Sequence, residues 1–212
     1  MSQLILASLN KNRFKVFNKL RAFKNMGVLG GGTALALQVG HRVSFDFDIF
    51  SYHALPGHLW KDAKKVLGQD CEKLLDFEDQ LNLITPGGVE VTFFHDEYQP
   101  LFKAIKTNFI DLMDLRDIAC NKAYIIGRRP KWRDYVDIYF LLKDKKISLD
   151  QLLKLSIRKF KNDFSKRLFL QQLVYYSDIT DYKIEFLKDE ISPDKIKVFL
   201  EGEVSRYKTR EL

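Results

Sequence analysis

Apolar residues recur at helical spacing from Asn10 to Met26. Phe14, Phe17, Leu20 and Phe23 fall on one face, Asn10 stands at an N-cap position, and Gly27 marks the stop. Val28-Leu29 reads as a short strand and Thr33 to Val39 as a helix. From Arg42 to Phe50 the chain alternates polar and apolar without a break. A strand there puts Arg42, Ser44, Asp46 and Asp48 on one face and Val43, Phe45, Phe47 and Ile49 on the other. Pro56 can open a helix through about Leu67, and Cys71 to Phe77 and Leu81 to Thr85 are strand-like. The turn Pro86-Gly87-Gly88 then delivers a further strand, Val89 to Phe94, whose even-numbered residues share a face.

After residue 112 the period changes. Asp114 can cap a helix to Ile126, Pro130 can begin one through Leu142, and Ser148 can cap another through about Phe160. Helical patterns follow from Phe164 to Tyr176 and from Pro193 to about Arg206. The pattern predicts an α+β chain with an α/β core over residues 1–112 and a helical region over 113–212. No internal repeat, low-complexity tract or Pro/Ser-rich linker separates the two.

Two stretches invite chemistry. Asp46 and Asp48 lie side by side on the predicted strand, and neighbouring like charges repel unless a cation lies between them. Hard divalent ions prefer such oxygen ligands. Just upstream, Gly30-Gly31-Gly32-Thr33 leads into a helix, where backbone N–H groups at the positive end of the dipole can hold a phosphate. A flexible turn and an edge strand with one wet face account for each stretch separately. Their adjacency favours nucleotide chemistry. Neither a Walker loop nor a Rossmann fingerprint is present.

Composition narrows the class further. The 212 residues, 46% hydrophobic and 13% aromatic, suffice for a packed core. No run of eighteen apolar residues appears, and Met1 to Leu9 is too short for a signal peptide, so a cytoplasmic protein without membrane contact is expected. Cys71 and Cys120 are expected to be ordinary thiols. His41, His53, His58 and His95 show no zinc spacing, and no serine sits in a nucleophile elbow, which removes zinc-enzyme and hydrolase readings. The net charge of +7 favours an anionic partner. Lys143, Lys145, Lys146, Lys154, Arg158, Lys159, Lys161, Lys166 and Arg167 form either the solvated faces of helices or a polyanion-docking surface.

Gly31-Gly32-Thr33, followed by His41-Arg42-x-Ser44-x-Asp46-x-Asp48, resembles the signature of the AbiEii/AbiGii-type nucleotidyltransferase toxins, within the DNA polymerase β-like nucleotidyltransferase superfamily. Downstream, Asp117 to Lys122 and Arg133-Asp134-Tyr135-Val136-Asp137-Ile138-Tyr139 resemble that family's lysine-bearing helix and Arg-Asp-x-x-Asp helix. The likeness spans roughly residues 25 to 142, and several motifs in order make it far more specific than any one alone.

The resemblance implies a polymerase-β-like mixed sheet with flanking helices and a C-terminal helical region. It also implies transfer of a nucleotide from an NTP, ATP among the candidates, to an acceptor hydroxyl on RNA, with the tRNA 3′ end favoured. Mg²⁺ or Mn²⁺ would assist, and a cognate antitoxin is a possible partner. Gly31, Gly32 and Thr33 would hold phosphate, and Asp46 and Asp48 would hold metal; Ser44 would touch phosphate or water, or be plain polar surface. A third carboxylate is expected on a later strand, but the aligned position is Thr92. Glu90, two residues earlier on the same face, either reaches the metals in its place or is an exposed strand residue. Lys122 lies beside an apolar stripe and either snorkels to water or meets triphosphate. Asp134 or Asp137 would orient Lys122 or act as base for the acceptor hydroxyl. Two other activities fit the same residues: nucleotidylation of a protein side chain, or a catalytically degenerate nucleotide- or RNA-binding module, for which Thr92 argues.

Overall fold

A computed structural model describes residues 4–211. Residues 1–3 and 212, at the ends of the two expected domains, lie outside the described residues, as does part of the Met1 to Leu9 stretch. The chain divides into two compact units, Met1–Asp114 and Leu115–Leu212.

In the N-terminal unit, Asn10 caps α1 (Lys11–Lys19) by accepting from the Arg13 backbone N–H at 3.0 Å, and a 3₁₀ turn, Leu20–Phe23, continues it. Then come β1 (Val28–Leu29), α2 (Gly31–Val39), β2 (Phe47–Ser51), α3 (Leu59–Leu67), β3 (Glu72–Asp76), β4 (Gln80–Ile84) and β5 (Glu90–His95). The strands form one mixed sheet in the order β1-β2-β5-β4-β3, in which only β2 and β5 run parallel. Its two faces differ because side chains alternate along each strand. Phe47, Ile49, Leu81, Leu83, Val91 and Phe93 are buried, with Phe17 stacked on Phe47 and Phe23 set edge-on to Phe93. Asp48, Asn82 and Glu90 on the opposite face are only half-buried.

The strand expected from Arg42 to Phe50 begins only at Phe47. Over residues 43–46 the carbonyls that would enter a ladder are taken by side chains: Arg13 Nη1 donates to Ser44 O and Thr33 Oγ1 to Asp46 O. The expected wet face is therefore closed at one end, where Arg42 and Ser44 are buried, and Phe45 on the expected apolar face is 53% exposed beneath the Arg13 guanidinium.

The C-terminal unit is helical: α4 (Leu115–Ile125), α5 (Trp132–Lys143), α6 (Leu149–Phe160), α7 (Lys166–Gln172) and α8 (Pro193–Glu211). Ser148 caps α6 through Gln151 N at 3.1 Å. Almost every residue of α5 is buried, so it runs through the centre of its unit, against α4 and α8. A buried ion pair, Lys159 to Asp117 at 3.1 Å, ties α6 to α4. No helix among the described residues is long and apolar enough to cross a membrane.

Candidate functional site

The glycine turn and the carboxylate strand meet in the N-terminal unit. Gly30 donates its N–H to Asp48 O at 2.8 Å, which pins the start of α2 beside β2. Gly31 has φ +62, a region that favours glycine, and a Cβ there would collide with the Asp48 carboxylate. A Cβ at Gly32 would come within 2.7 Å of Arg42 Nη2 and 3.0 Å of Ser44 Oγ. The absence of side chains is what lets the helix entrance lie against Asp48, Arg42 and Ser44. Thr33 is buried, and its hydroxyl holds the Asp46 carbonyl.

Gly31→Ala is thus expected to be doubly harmful. It forces an L side chain into a left-handed backbone, costing about 1 kcal/mol, and it displaces Asp48. A melting curve together with a transfer assay checks this, and wild-type values in both would contradict the packing described.

Across the sheet, Thr92 sits in register between Asp48 on β2 and Asn82 on β4, so the three side chains form a row on the half-buried face. Glu90 lies one pleat away, where Asn82 Nδ2 donates to its carboxylate at 2.7 Å. Among the described residues no three of His, Cys, Asp and Glu come together as a metal-holding group, so the structure does not gather Glu90 with Asp46 and Asp48. The donor set still suits a hard divalent ion. Asp46 and Asp48 are half-buried, and Mg²⁺ is commonly bound by one or two carboxylates, with water and substrate phosphate filling the rest. Asp48 also reaches the same helix entrance that would attract a phosphate, and two anions there call for a cation between them.

The second group is in the C-terminal unit. Lys122, on α4, has its Nζ 2.6 Å from Asp134 Oδ1 and 2.7 Å from Asp137 Oδ2, both on α5 and one turn apart. Arg129, in the turn between the helices, grips Asp134 at two points, Nε to Oδ2 at 2.9 Å and Nη2 to Oδ1 at 3.1 Å. Burial pushes the Asp134 carboxyl up, but Lys122 and Arg129 outweigh it and hold the group below the usual carboxylate range. The arrangement fixes a charged lysine against two carboxylates. Cys120, two residues before Lys122 on α4, is buried, and that burial pushes its thiol up to about 11, away from the thiolate a reactive cysteine needs.

His41 is buried, in keeping with a structural histidine. Asn82 and Arg129 escaped the sequence reading, since the first matters only through strand register and the second through a turn that folds it back onto Asp134.

Comparisons with known proteins bear on the family and the fold. A family model described as "Nucleotidyl transferase AbiEii toxin, Type IV TA system" matches residues 88–206, more than half of the chain. An uncharacterised protein of Aquifex aeolicus (strain VF5) is 30% identical over 183 residues, covering 82% of this chain and 88% of that protein. Among solved structures, a candidate nucleotidyltransferase from Helicobacter pylori superposes with a TM-score of 0.62 at 16% identity, over 95% of this chain and 97% of that one. MenT4, a nucleotidyltransferase toxin of Mycobacterium tuberculosis H37Rv, gives 0.60 at 12% identity, over 92% and 85%. At those identities the structural likenesses speak for the fold.

Proposed function

Since the chain belongs to the AbiEii family of nucleotidyltransferase toxins, and is itself a nucleotidyltransferase of mixed-sheet α+β fold, we propose that it moves a nucleotide from an NTP onto an acceptor hydroxyl of RNA, with the tRNA 3′ end favoured. The observation that carries the site assignment is the Asp48 carboxylate lying against the glycine entrance of α2. In the N-terminal unit, the backbone N–H groups of Gly31, Gly32 and Thr33 hold the triphosphate at the helix dipole, while the Thr33 hydroxyl stays on the Asp46 carbonyl. Asp46 and Asp48 hold Mg²⁺ or Mn²⁺. When bound, the ion lowers the pKa of the attacking hydroxyl and neutralises charge on the pyrophosphate leaving group. Ser44 and Arg42, packed beneath Gly32, keep that turn in place.

In the C-terminal unit, Lys122 is assigned to phosphate, and Asp134 and Asp137 orient it. A carboxyl held below its ordinary range is a poor general base, which supports orientation over proton abstraction for Asp134. The acceptor reading draws on exposed basic residues along the helical unit, among them Lys143, Lys145, Lys146, Arg158, Lys161 and Arg167. Lys159 does not join them, being buried against Asp117. A partner antitoxin, as the family description of a toxin–antitoxin system suggests, belongs to the same proposal.

Thr92 stands opposite Asp48, where a third carboxylate would belong, and Glu90 is drawn toward Asn82, so any contribution of Glu90 to the ion passes through water. Thr92→Asp is expected to lower the melting temperature without divalent ion, through like-charge repulsion across the pair, and to be stabilised by Mg²⁺ more than the wild type is. Equal Mg²⁺ responses in the two proteins would remove Thr92 from the site.

Labelling total cell extract with each of the four NTPs in the presence of the protein, followed by nuclease or protease digestion, tests the acceptor. Label lost to nuclease alone supports RNA. Loss to protease alone makes the protein a nucleotidyltransferase of protein side chains, and no label at all would favour a binding module.

A further inference from the structure

The first 45 residues carry seven basic side chains and no acidic one, whereas residues 46–114 carry six basic and thirteen acidic. The N-terminal unit is thus neutral as a whole, with its positive charge gathered at one end of the chain. Within α1 the charge is sorted again. Lys11, Lys15 and Lys19 recur every four residues, which sets them in steps of about 6 Å along one exposed stripe, with the exposed Asn12 and Asn18 beside them. Val16, Phe17 and Leu20 are buried on the other side, where Phe17 stacks on Phe47. The stripe weakens its own helix, since lysines four apart repel and Lys11 stands at the first helical position, the positive end of the dipole. Among the described residues no carboxylate pairs with any of the three, and Lys19 gives one donor to Leu67 O at 3.1 Å, at the end of α3. A row of external negative charges would relieve both strains. An RNA backbone suits it better than an acidic protein, because lysine is depleted from protein interfaces and this stripe has no apolar centre, whereas nucleic-acid interfaces are polar and strongly positive. We propose that Lys11, Lys15 and Lys19 form a docking surface for the phosphate backbone of a structured RNA. α1 covers the apolar face of the sheet, and Asp48 and Thr92 lie on the opposite face, so the surface holds the body of an RNA large enough to reach round to the site. This deepens the RNA-acceptor reading given above and rests on it.

The test is fluorescence anisotropy of the full chain with a labelled RNA hairpin, without NTP or Mg²⁺, over a series of salt concentrations. Lys11→Gln/Lys15→Gln should flatten the plot of log affinity against log salt by about 2, one for each lost phosphate contact, and weaken binding at low salt by on the order of tenfold. Its melting temperature should not fall, because the change removes only a repulsion. Lys183→Gln/Lys188→Gln takes the same charge from an exposed stretch of the C-terminal unit and should keep the wild-type slope. A wild-type slope in the α1 variant, or an equal drop in both variants, overturns the docking surface and leaves the RNA reading standing. No RNA binding by the wild type defeats that reading, and this proposal with it. Poly-glutamate bound through Lys11 and Lys15, with hairpin affinity unchanged by their loss, would give the surface to an acidic protein and overturn the assignment to RNA.

Discussion

Asp48→Asn is expected to lower nucleotidyl transfer by several orders of magnitude while leaving the sheet folded. The amide keeps the shape of the carboxylate, so the row Asp48, Thr92, Asn82 and the approach of Gly31 are preserved. What disappears is the charge that would hold the proposed ion, which would act on both the nucleophile and the leaving group. The fold should lose only about 0.3–1 kcal/mol, the value of a carboxylate near a helix N-terminus. Asp46→Asn should behave in the same way. Incorporation of α-phosphate label into acceptor, run beside a thermal melt, measures both effects, and wild-type incorporation by either variant would end the assignment.

Lys122→Met is expected to cost about 3–5 kcal/mol of stability, because it removes the ammonium that two buried carboxylates share, while Asp134 keeps its bonds to Arg129. The loss should depend on pH in a definite direction. In the wild type, Asp134 titrates below its unfolded value, so its stabilising contribution is complete above about pH 4 and fades as the pH falls through the lower folded value. In the variant Asp134 keeps Arg129 but loses the Lys122 charge that lowers it, so less of that contribution remains. The gap between the two proteins should therefore hold from about pH 7 down to about pH 4 and narrow as the pH falls further. Denaturant melts at about pH 7 and about pH 3 decide this, and a gap of equal size at both would show that the cluster is not held by charge.

The elements easiest to read were those governed by neighbours in sequence. Asn10 and Ser148 cap the helices that follow them because a cap needs only the next three residues. The closeness of the glycine turn to Asp48 was legible because fewer than twenty residues separate them. Residues 43–46 were not: their alternation reads as strand, but their carbonyl partners are Arg13, far back on α1, and Thr33 on α2. Pairing of Lys122 with an acid on the following helix was one of two readings the motif allowed. The Arg129 grip on Asp134 was invisible, since it depends on how Gly127, at φ +84, turns the chain between α4 and α5. Strand register decided the rest. That Thr92 faces Asp48, while Glu90 is held by Asn82, follows from pairing β5 with both β2 and β4, which no local pattern specifies.

The central claim, that the entrance of α2 and the two aspartates form a nucleotide site, is tested most directly by a crystal structure of the full chain with Mg²⁺ and a non-hydrolysable NTP. The account predicts phosphate oxygens on the Gly31 and Gly32 N–H groups and an ion ligated by Asp46 and Asp48, with Glu90 still on Asn82. A nucleotide bound elsewhere, with Asp46 and Asp48 turned to solvent and no ion beside them, would contradict it.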